Sequence, residues 1–458
     1  MPLRTPIAHQ RQLVNEGHTR PRAWRLEQLD RLARAIDAHE AAVFEALASD
    51  LGKPEVEAYF ELVAVRQEIA LVRRRLRRWM APKRVPVPLS LLPGSATVEP
   101  EPLGCVLVIG PWNYPFLLSL QPLVSALAAG NTAVLKPSEH APATAQLLET
   151  LLTTAFEPST VQVVQGDGTA AAALLQQRFD HIFFTGGERV GRLVMAAAAE
   201  HLTPVTLELG GKSPAVVLND ADLEVSSRRL VWGKCLNAGQ TCIAPDYLLV
   251  QRGVAAPLIQ KLGERIRHCF GDAPLDSPDL ASIVNAAQFE RLHGLLQGAI
   301  QRGQVVFGGQ SDAARRRMAP TLIRVESLDD PVMAEELFGP LLPVLEVDDL
   351  QQALGWINSR PKPLALYLFS ASGESQRRLL EGTSSGGVCL NDVVMQVSVP
   401  ELPFGGVGNS GMGRYHGEAG FQTFSHLRSV LRRPFQLDVP LRYPPYGQRL
   451  PLIRQLLR

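Results

Sequence analysis

Apolar residues near the amino terminus recur at helical intervals. From Gln10 to about Met80, Leu26, Leu29, Leu32 and Ile36 follow three- and four-residue steps that line one helix face, and a second helix is predicted from about Glu55 to Trp79. That helix ends in Arg73, Arg74, Arg75, Arg77 and Arg78, a run that complements the helix dipole and reads as a solvated face rather than a patch for an anionic partner. Pro82-Lys83-Arg84-Val85-Pro86-Val87-Pro88 then breaks the helix and leads into an extended stretch to Pro102, expected to leave the main body.

Beyond Gly104 the pattern changes to short apolar runs separated by helical segments. Cys105 to Ile109, Ala133 to Leu135, Val161 to Val164, His181 to Phe184 and Val205 to Leu207 read as buried strands, with helices over residues 116–129, 142–155, 169–178 and 188–199. This βαβ alternation predicts an α/β fold with a parallel sheet covered on both faces. A second α/β stretch runs from Pro214 to about Val394. The remainder, Gln396 to Val430, is expected to begin extended and carries the glycine-rich Pro403-Phe404-Gly405-Gly406-Val407-Gly408.

Composition narrows the class. A chain of 458 residues should hold two or three domains, and a net charge of +1 gives no electrostatic reason for nucleic-acid binding. Five cysteines, at 105, 235, 242, 269 and 389, are odd in number and unclustered, which argues against a disulfide framework. The histidines are scattered without metal-ligand spacing, so no metal site is expected. Met1-Pro2-Leu3-Arg4 lacks the apolar core of a secretory signal, and no stretch approaches the roughly 18 apolar residues of a membrane span. Together these features read as a cytoplasmic protein. At the other end, a helix would group Leu452, Ile453, Leu456 and Leu457 away from Arg454 and Arg458; a docked terminal helix is preferred to a membrane-surface contact.

Candidate chemistry centres on Gly239-Gln240-Thr241-Cys242, a thiol in a small-residue turn, downstream of Glu208, which ends a β-type run. A thiol attacks electrophilic carbon and a separate carboxylate can activate the water that releases product, although a lone cysteine is commonly buried and inert. After the strand His181 to Phe184 comes Thr185-Gly186-Gly187-Glu188-Arg189-Val190-Gly191 and then a helix. Glycine lets backbone approach phosphate, but the spacing is G-x-x-x-x-G, and a simple strand-to-helix turn remains open. Lys136-Pro137-Ser138-Glu139, at a strand's carboxyl end, could bind ribose hydroxyls or merely cap the following helix. Asn113, within Pro111-Trp112-Asn113-Tyr114-Pro115, offers an amide donor for an oxyanion, or else holds only a proline-bracketed turn.

In this order, and with Leu207-Glu208-Leu209-Gly210-Gly211-Lys212-Ser213-Pro214, Glu335-Glu336-Leu337-Phe338-Gly339-Pro340 and Leu402-Pro403-Phe404-Gly405-Gly406, these segments resemble the aldehyde dehydrogenase superfamily. Ala244-Pro245-Asp246-Tyr247, Gly408-Asn409-Ser410-Gly411-Met412-Gly413 and Tyr415-His416-Gly417 point to its class 3 branch. The resemblance covers Gln10 to Pro445, nearly the whole chain. It implies Cys242 as nucleophile, Glu208 as general base, and Asn113 with the Cys242 N–H as an oxyanion hole. It further implies Lys136, Glu139 and Glu336 at ribose hydroxyls, Phe338 by the nicotinamide, Trp112 among the cofactor-binding residues, and Gly186, Gly187 and Gly191 against the pyrophosphate. Gly187 stands where the family commonly has serine, which costs one hydroxyl contact. The remaining cysteines are taken as packing residues.

The implied architecture is a Rossmann-like parallel-sheet cofactor domain (residues 1–83 and 101–208), a second α/β catalytic domain (209–393), a small β oligomerisation arm (84–100 and 394–432) and a tail (433–458). The implied activity is oxidation of medium- or long-chain aliphatic or aromatic aldehydes to acids by a homodimer. A carboxylate at Glu139 favours NAD over NADP, with NADP still possible. Two rivals are a coenzyme A-acylating enzyme, disfavoured by retention of Glu208, and a catalytically silent binding relative, disfavoured by intact Cys242, Glu208 and Asn113.

Overall fold

The computed structural model describes residues 4–436, 438 and 440–456. Four helices open the chain, Arg4–Asn15, Arg22–Ala38, Glu40–Leu51 and Glu55–Trp79. Leu29, Leu32 and Ile36 are fully buried, as their spacing requires, while Arg73 and Arg75 lie outside and pair with Asp30 and Glu401.

Five of the expected strands form one parallel sheet, in the order Val205–Glu208, His181–Thr185, Cys105–Ile109, Thr132–Lys136, Val161–Val163. Cys105–Ile109 and Thr132–Lys136 are buried along their whole length, which is why they read as unbroken apolar runs. The connecting helices Leu117–Ala129, Pro142–Ala155, Gly168–Leu175 and Glu188–Ala199 fall within the predicted spans, apart from the shorter third. From Cys105–Ile109 the chain winds outward through Thr132–Lys136 and then returns to the other side at His181, so the order reverses there. Ligands of such sheets bind at the carboxyl ends beside that reversal.

A second sheet has seven strands, in the order Val305–Phe307, Thr321–Val325, Leu341–Val347, Tyr247–Gln251, Pro214–Val217, Ala365–Phe369, Gly387–Leu390. All pairs are parallel except the first. A third, antiparallel sheet joins Lys83–Val85, Ser95–Pro102 and Ser425–Arg432, the last two in register from Ser425↔Pro102 to Arg432↔Ser95. Ser425–Arg432 is an edge strand, and its Leu427 and Leu431 are 47% and 52% exposed.

Two expectations are corrected. The segment after Val394 does not begin extended: Met395–Ser398 is a 3-10 turn entered from Val394 at φ 66. Pro400 and Pro403, which lack N–H groups, then keep it out of a ladder until Gly411–Met412 pairs antiparallel with Leu207 and Glu208. Ser138 and Glu139 do not cap Pro142–Ala155. Asp50, from the end of Glu40–Leu51, accepts from Ala143 N–H (3.0 Å), Thr144 N–H (2.8 Å) and the Thr144 hydroxyl (2.7 Å). The terminal helix Leu450–Leu456 forms, with Leu450 and Leu452 56% and 48% exposed and Ile453 half-buried. Leu457 and Arg458, counted in that helix's two faces, and Met1, Pro2 and Leu3 lie outside the described residues. Among the described residues no helix is long and apolar enough to cross a membrane.

Removing the long-range cap is expected to loosen the packing of Pro142–Ala155 beside the Lys136 strand. Asp50→Ala should lower stability by about 1–2 kcal/mol, read as a reduced denaturation midpoint at unchanged m-value.

Candidate active site

Glu208 ends its strand at the carboxyl edge of the first sheet, and the chain runs directly through Leu209–Ser213 into Pro214–Val217 of the second. The site therefore lies where carboxyl ends of one sheet face amino ends of the other. Asp246, leading into Tyr247–Gln251, donates its N–H to Ser213 O (2.8 Å), and its carboxylate accepts from Leu337 N–H (3.1 Å) in the lead-in to Leu341–Val347. Lys212 ties these lead-ins together through Asp246 (2.6 Å), Val332 O and Glu335 O (both 2.9 Å).

The thiol sits in a forced loop. Helix Leu223–Cys235 stops, and Asn237, Ala238 and Gly239 follow at φ 52, 52 and 77. Left-handed backbone is unfavourable for L-residues, so the loop needs outside support. Asn237 N–H donates to Glu57 (2.8 Å). The Gln240 carboxamide donates to Asn237 O and Ser282 O (both 3.0 Å) and accepts from Val284 N–H (2.9 Å). Gly239 is obligatory, since a Cβ there would stand 2.3 Å from Gly339 O. Thr241 shares a hydroxyl bond with Tyr114 (2.7 Å), and buried Tyr367 donates to Ile243 O (2.5 Å).

Cys242 at the loop's end is partly buried against an apolar cluster that includes Leu236, Ile243, Tyr367 and Val394. Burial pushes its thiol up; nearby Glu336 and Glu208 add to the shift, while the N–H groups of Cys242 and Ile243 oppose it. Glu208 is buried, and among the described residues neither carboxylate oxygen has a hydrogen-bond partner. Burial raises its carboxyl well above the usual range. Glu336 lies over Gly210, where a Cβ would be 2.2 Å from Oε2. Burial and then the Asp246 charge bring its carboxyl up to about 8, against the Gly211 N–H, Lys212 and Lys234.

Asn113 follows Cys105–Ile109. Its Nδ2 donates to Gln240 O (3.1 Å), which aims the amide at the thiol loop and leaves a second N–H. Its own carbonyl accepts from Lys53 Nζ (3.0 Å) and Asn237 Nδ2 (2.7 Å). Trp112 meets Phe338, itself at φ 51, edge to face at 5.1 Å. On the neighbouring strand end, buried Lys136 donates to Glu139 (2.8 Å) and Pro137 O (3.1 Å). Partial burial works against ionisation of Glu139, yet the Lys136 bond holds its carboxyl below the ordinary value.

A dinucleotide fits this edge. Gly187 opens helix Glu188–Ala199 with no side-chain cap among the described residues, and a Cβ on it would meet nothing. Amide donors are therefore free at a helix N-terminus, the arrangement that suits a pyrophosphate. Gly186 packs on Phe184 and Gly191 on Leu209, where Cβ atoms would come within 2.6 and 2.8 Å.

Cys242, Glu208 and Glu336 thus lie near one another, Asn113 reaches the thiol loop, and Lys136 and the Gly186–Gly191 turn stand at carboxyl ends of the first sheet. Of the other cysteines, Cys105 and Cys235 are buried and Cys389 is partly so, but Cys269 is exposed and is no packing residue, because it lies on the outer face of Arg252–Phe270. Sequence reading missed Asn237, Asp246, Tyr367, Glu57 and the Lys53–Glu61 pair. Only Asn237, a residue that tolerates left-handed backbone just before a glycine, carried a local signal.

The aldehyde dehydrogenase family model matches residues 8–430. The chain is 45% identical over 454 residues to aldehyde dehydrogenase family 3 member H1 of Arabidopsis thaliana, covering 98% of this chain and 94% of that one. It is 44% identical to the dimeric NADP-preferring aldehyde dehydrogenase of Canis lupus familiaris, covering 96% and 97%. The solved structure described as the substrate-bound state of Staphylococcus aureus AldH superimposes with a TM-score of 0.96 at 41% identity, covering 99% of both chains. This chain belongs to the aldehyde dehydrogenase family. Its activity is NAD(P)-dependent oxidation of an aldehyde.

The state of Glu208 can be read from stability. Its carboxyl titrates higher folded than its ordinary value of 4.5, so the native state keeps a proton that the unfolded chain loses. Stability therefore falls as pH rises above that value, by up to about 1.4 kcal/mol per pH unit, until the folded group ionises. Glu208→Gln lacks this slope, so its Tm should gain on the parent as pH rises above the ordinary carboxyl value of 4.5; parallel Tm curves would refute the buried neutral carboxyl.

Proposed function

We propose that Cys242 is the nucleophile, Glu208 the general base, and the Asn113 amide with the Cys242 N–H the oxyanion donors. The observation carrying this reading is that a half-buried thiol and a buried, unpartnered carboxylate meet on the facing edges of two sheets. Burial disfavours charge on both groups, so as sulfur bonds to the aldehyde carbon the thiol's proton leaves through water to solvent, and Glu208 gives up its own proton to solvent before the water step. The free N–H of Asn113 takes the developing alkoxide. When that oxygen re-forms its double bond, the C–H electron pair departs as hydride and Cys242 is left as a thioester. Bound NAD(P) supplies the hydride acceptor. Glu208 then takes a proton from water as the water attacks the thioester carbon, the C–S bond breaks, and the acid leaves.

Gly186, Gly187 and Gly191 would hold the pyrophosphate, Lys136, Glu139 and Glu336 the ribose hydroxyls, and Trp112 with Phe338 the nicotinamide. The charge kept on Glu139 by Lys136 repels a 2′-phosphate, which supports a preference for NAD. The NADP-preferring canine relative supports retained use of NADP. The apolar cluster that Cys242 packs against suits medium- or long-chain aliphatic or aromatic aldehydes, and its members Leu364 and Phe404 also line a cavity of about 180 Å³. Residues 1–83 with 101–208 make the cofactor domain in this reading, 209–393 the catalytic domain, and 84–100 with 394–432 an arm.

We read the enzyme as a cytoplasmic homodimer. Unpaired cysteines support a reducing compartment. The long edge Ser425–Arg432, with its exposed leucines, and the edge Gly387–Leu390 of the second sheet are the kind of strands that recruit a partner.

Stopped-flow NADH absorbance with decanal and benzaldehyde tests the chemistry. Cys242→Ala should give no NADH, Asn113→Ala should lower the rate about 100–1000-fold, and Glu208→Gln should give one equivalent and then stall. Continued turnover by Cys242→Ala would overturn the assignment. For assembly, Leu427→Lys/Leu431→Lys should shift light-scattering mass toward the 50.0 kDa monomer.

A further inference from the structure

Lys53 follows helix Glu40–Leu51, Glu61 lies on helix Glu55–Trp79, and their side chains form an ion pair at 0% exposure each. Taking two charges out of water is costly, and an apolar pair of similar volume commonly does as well for stability. The pair's contacts, however, all fall on one loop. Lys53 Nζ donates to Asn113 O (3.0 Å) and stands 3.9 Å from the Tyr114 ring centroid. Glu61 Oε2 accepts from Phe116 N–H (3.2 Å) and Leu117 N–H (3.0 Å), where the next helix begins. One turn earlier on the same helix, Glu57 accepts from Asn237 N–H (2.8 Å), and Asn237 Nδ2 returns to Asn113 O (2.7 Å). A single helix turn thus grips both the loop that carries the amide and the loop that carries the thiol.

We infer that Lys53 and Glu61 are a positioning pair that fixes the Asn113 carboxamide relative to Cys242 during hydride transfer. A hydrocarbon in their place would fill the space but leave Asn113 O one donor short and the Phe116 and Leu117 N–H groups without an acceptor. The 113–114 peptide could then rotate, and the amide on the same residue would swing with it. This inference rests on the reading of Asn113 as the oxyanion donor, and displacements of about 1 Å at such a group cost on the order of 100-fold in rate.

The test uses the full-length enzyme with NAD and decanal, reading the pre-steady-state NADH burst, the NAD Kd and the rate of Cys242 alkylation by iodoacetamide, followed on its peptide by mass. Lys53→Met should slow the burst about 10–100-fold while NAD affinity and alkylation stay within about twofold. In an Asn113→Ala background the same change should slow the burst less than about threefold, because the group it positions is gone. Full additivity, an unaffected burst, or a parallel fall in alkylation and NAD binding would overturn the inference. If Asn113→Ala alone keeps the parental burst, the oxyanion reading fails instead. Lys53→Met strands the Glu61 charge, so Lys53→Met/Glu61→Gln, which removes both charges, is measured in parallel with the same expected pattern. Failure of that double variant to fold would assign the pair to the fold and refute the positioning role.

Discussion

Three consecutive left-handed residues before the thiol loop are the constraint around which the site is built. Asn237 and Ala238 each adopt backbone that costs an L-residue about 1–2 kcal/mol. What offsets the cost is a set of buried hydrogen bonds, each contributing about 0.5–1.5 kcal/mol net: one from Asn237 N–H to Glu57 and three from the Gln240 carboxamide. Because those partners come from an amino-terminal helix and from the Ser282–Val284 segment, the thiol's position is tied to the body of both sheets rather than to its own loop. Strain held this way is pre-organisation: the sulfur does not need to find its place when substrate arrives.

The same geometry decides the electrostatics. Carboxyl ends of one sheet meet amino ends of the other, so Glu208, Glu336 and Cys242 crowd into a space with little access to water. Burial then favours the neutral form of all three. Lys212 and Lys234 offset part of the burial of Glu336 and of the Asp246 charge beside it; Lys234 Nζ lies 3.9 Å from Asp246.

Support for the cofactor edge is of a different kind. There the fold leaves backbone donors unspent at Gly187 and keeps Cβ atoms away from close approaches at Gly186 and Gly191. The Lys136–Glu139 pair is already formed, so a ribose in the proposed position would meet a donor and an acceptor that hold each other in place. Loss of the serine common at Gly187 removes a hydroxyl but not the main-chain amides, which are the part that the helix terminus supplies.

What was legible in the sequence is what depends on neighbours a few residues apart. Helix Glu55–Trp79 and the strands from Cys105–Ile109 to Val205–Glu208 appeared where the three-to-four and unbroken apolar patterns put them, because burial of a helix face or a central strand repeats at a local period. Ordered motifs such as Gly239–Cys242 and Leu207–Gly211 were also visible, since the residues proposed for the chemistry lie within short runs. Tertiary structure alone decided that Asp50 caps a helix 93 residues away, that Lys53 reaches Asn113 across 60 residues, and that Val394 turns left-handed instead of extending. In sequence Asp50, Lys53 and Glu61 look like ordinary solvent-facing charges. Whether a charge is solvated or buried with a partner depends on which surfaces close over it, and that is a property of the packed chain, not of any segment.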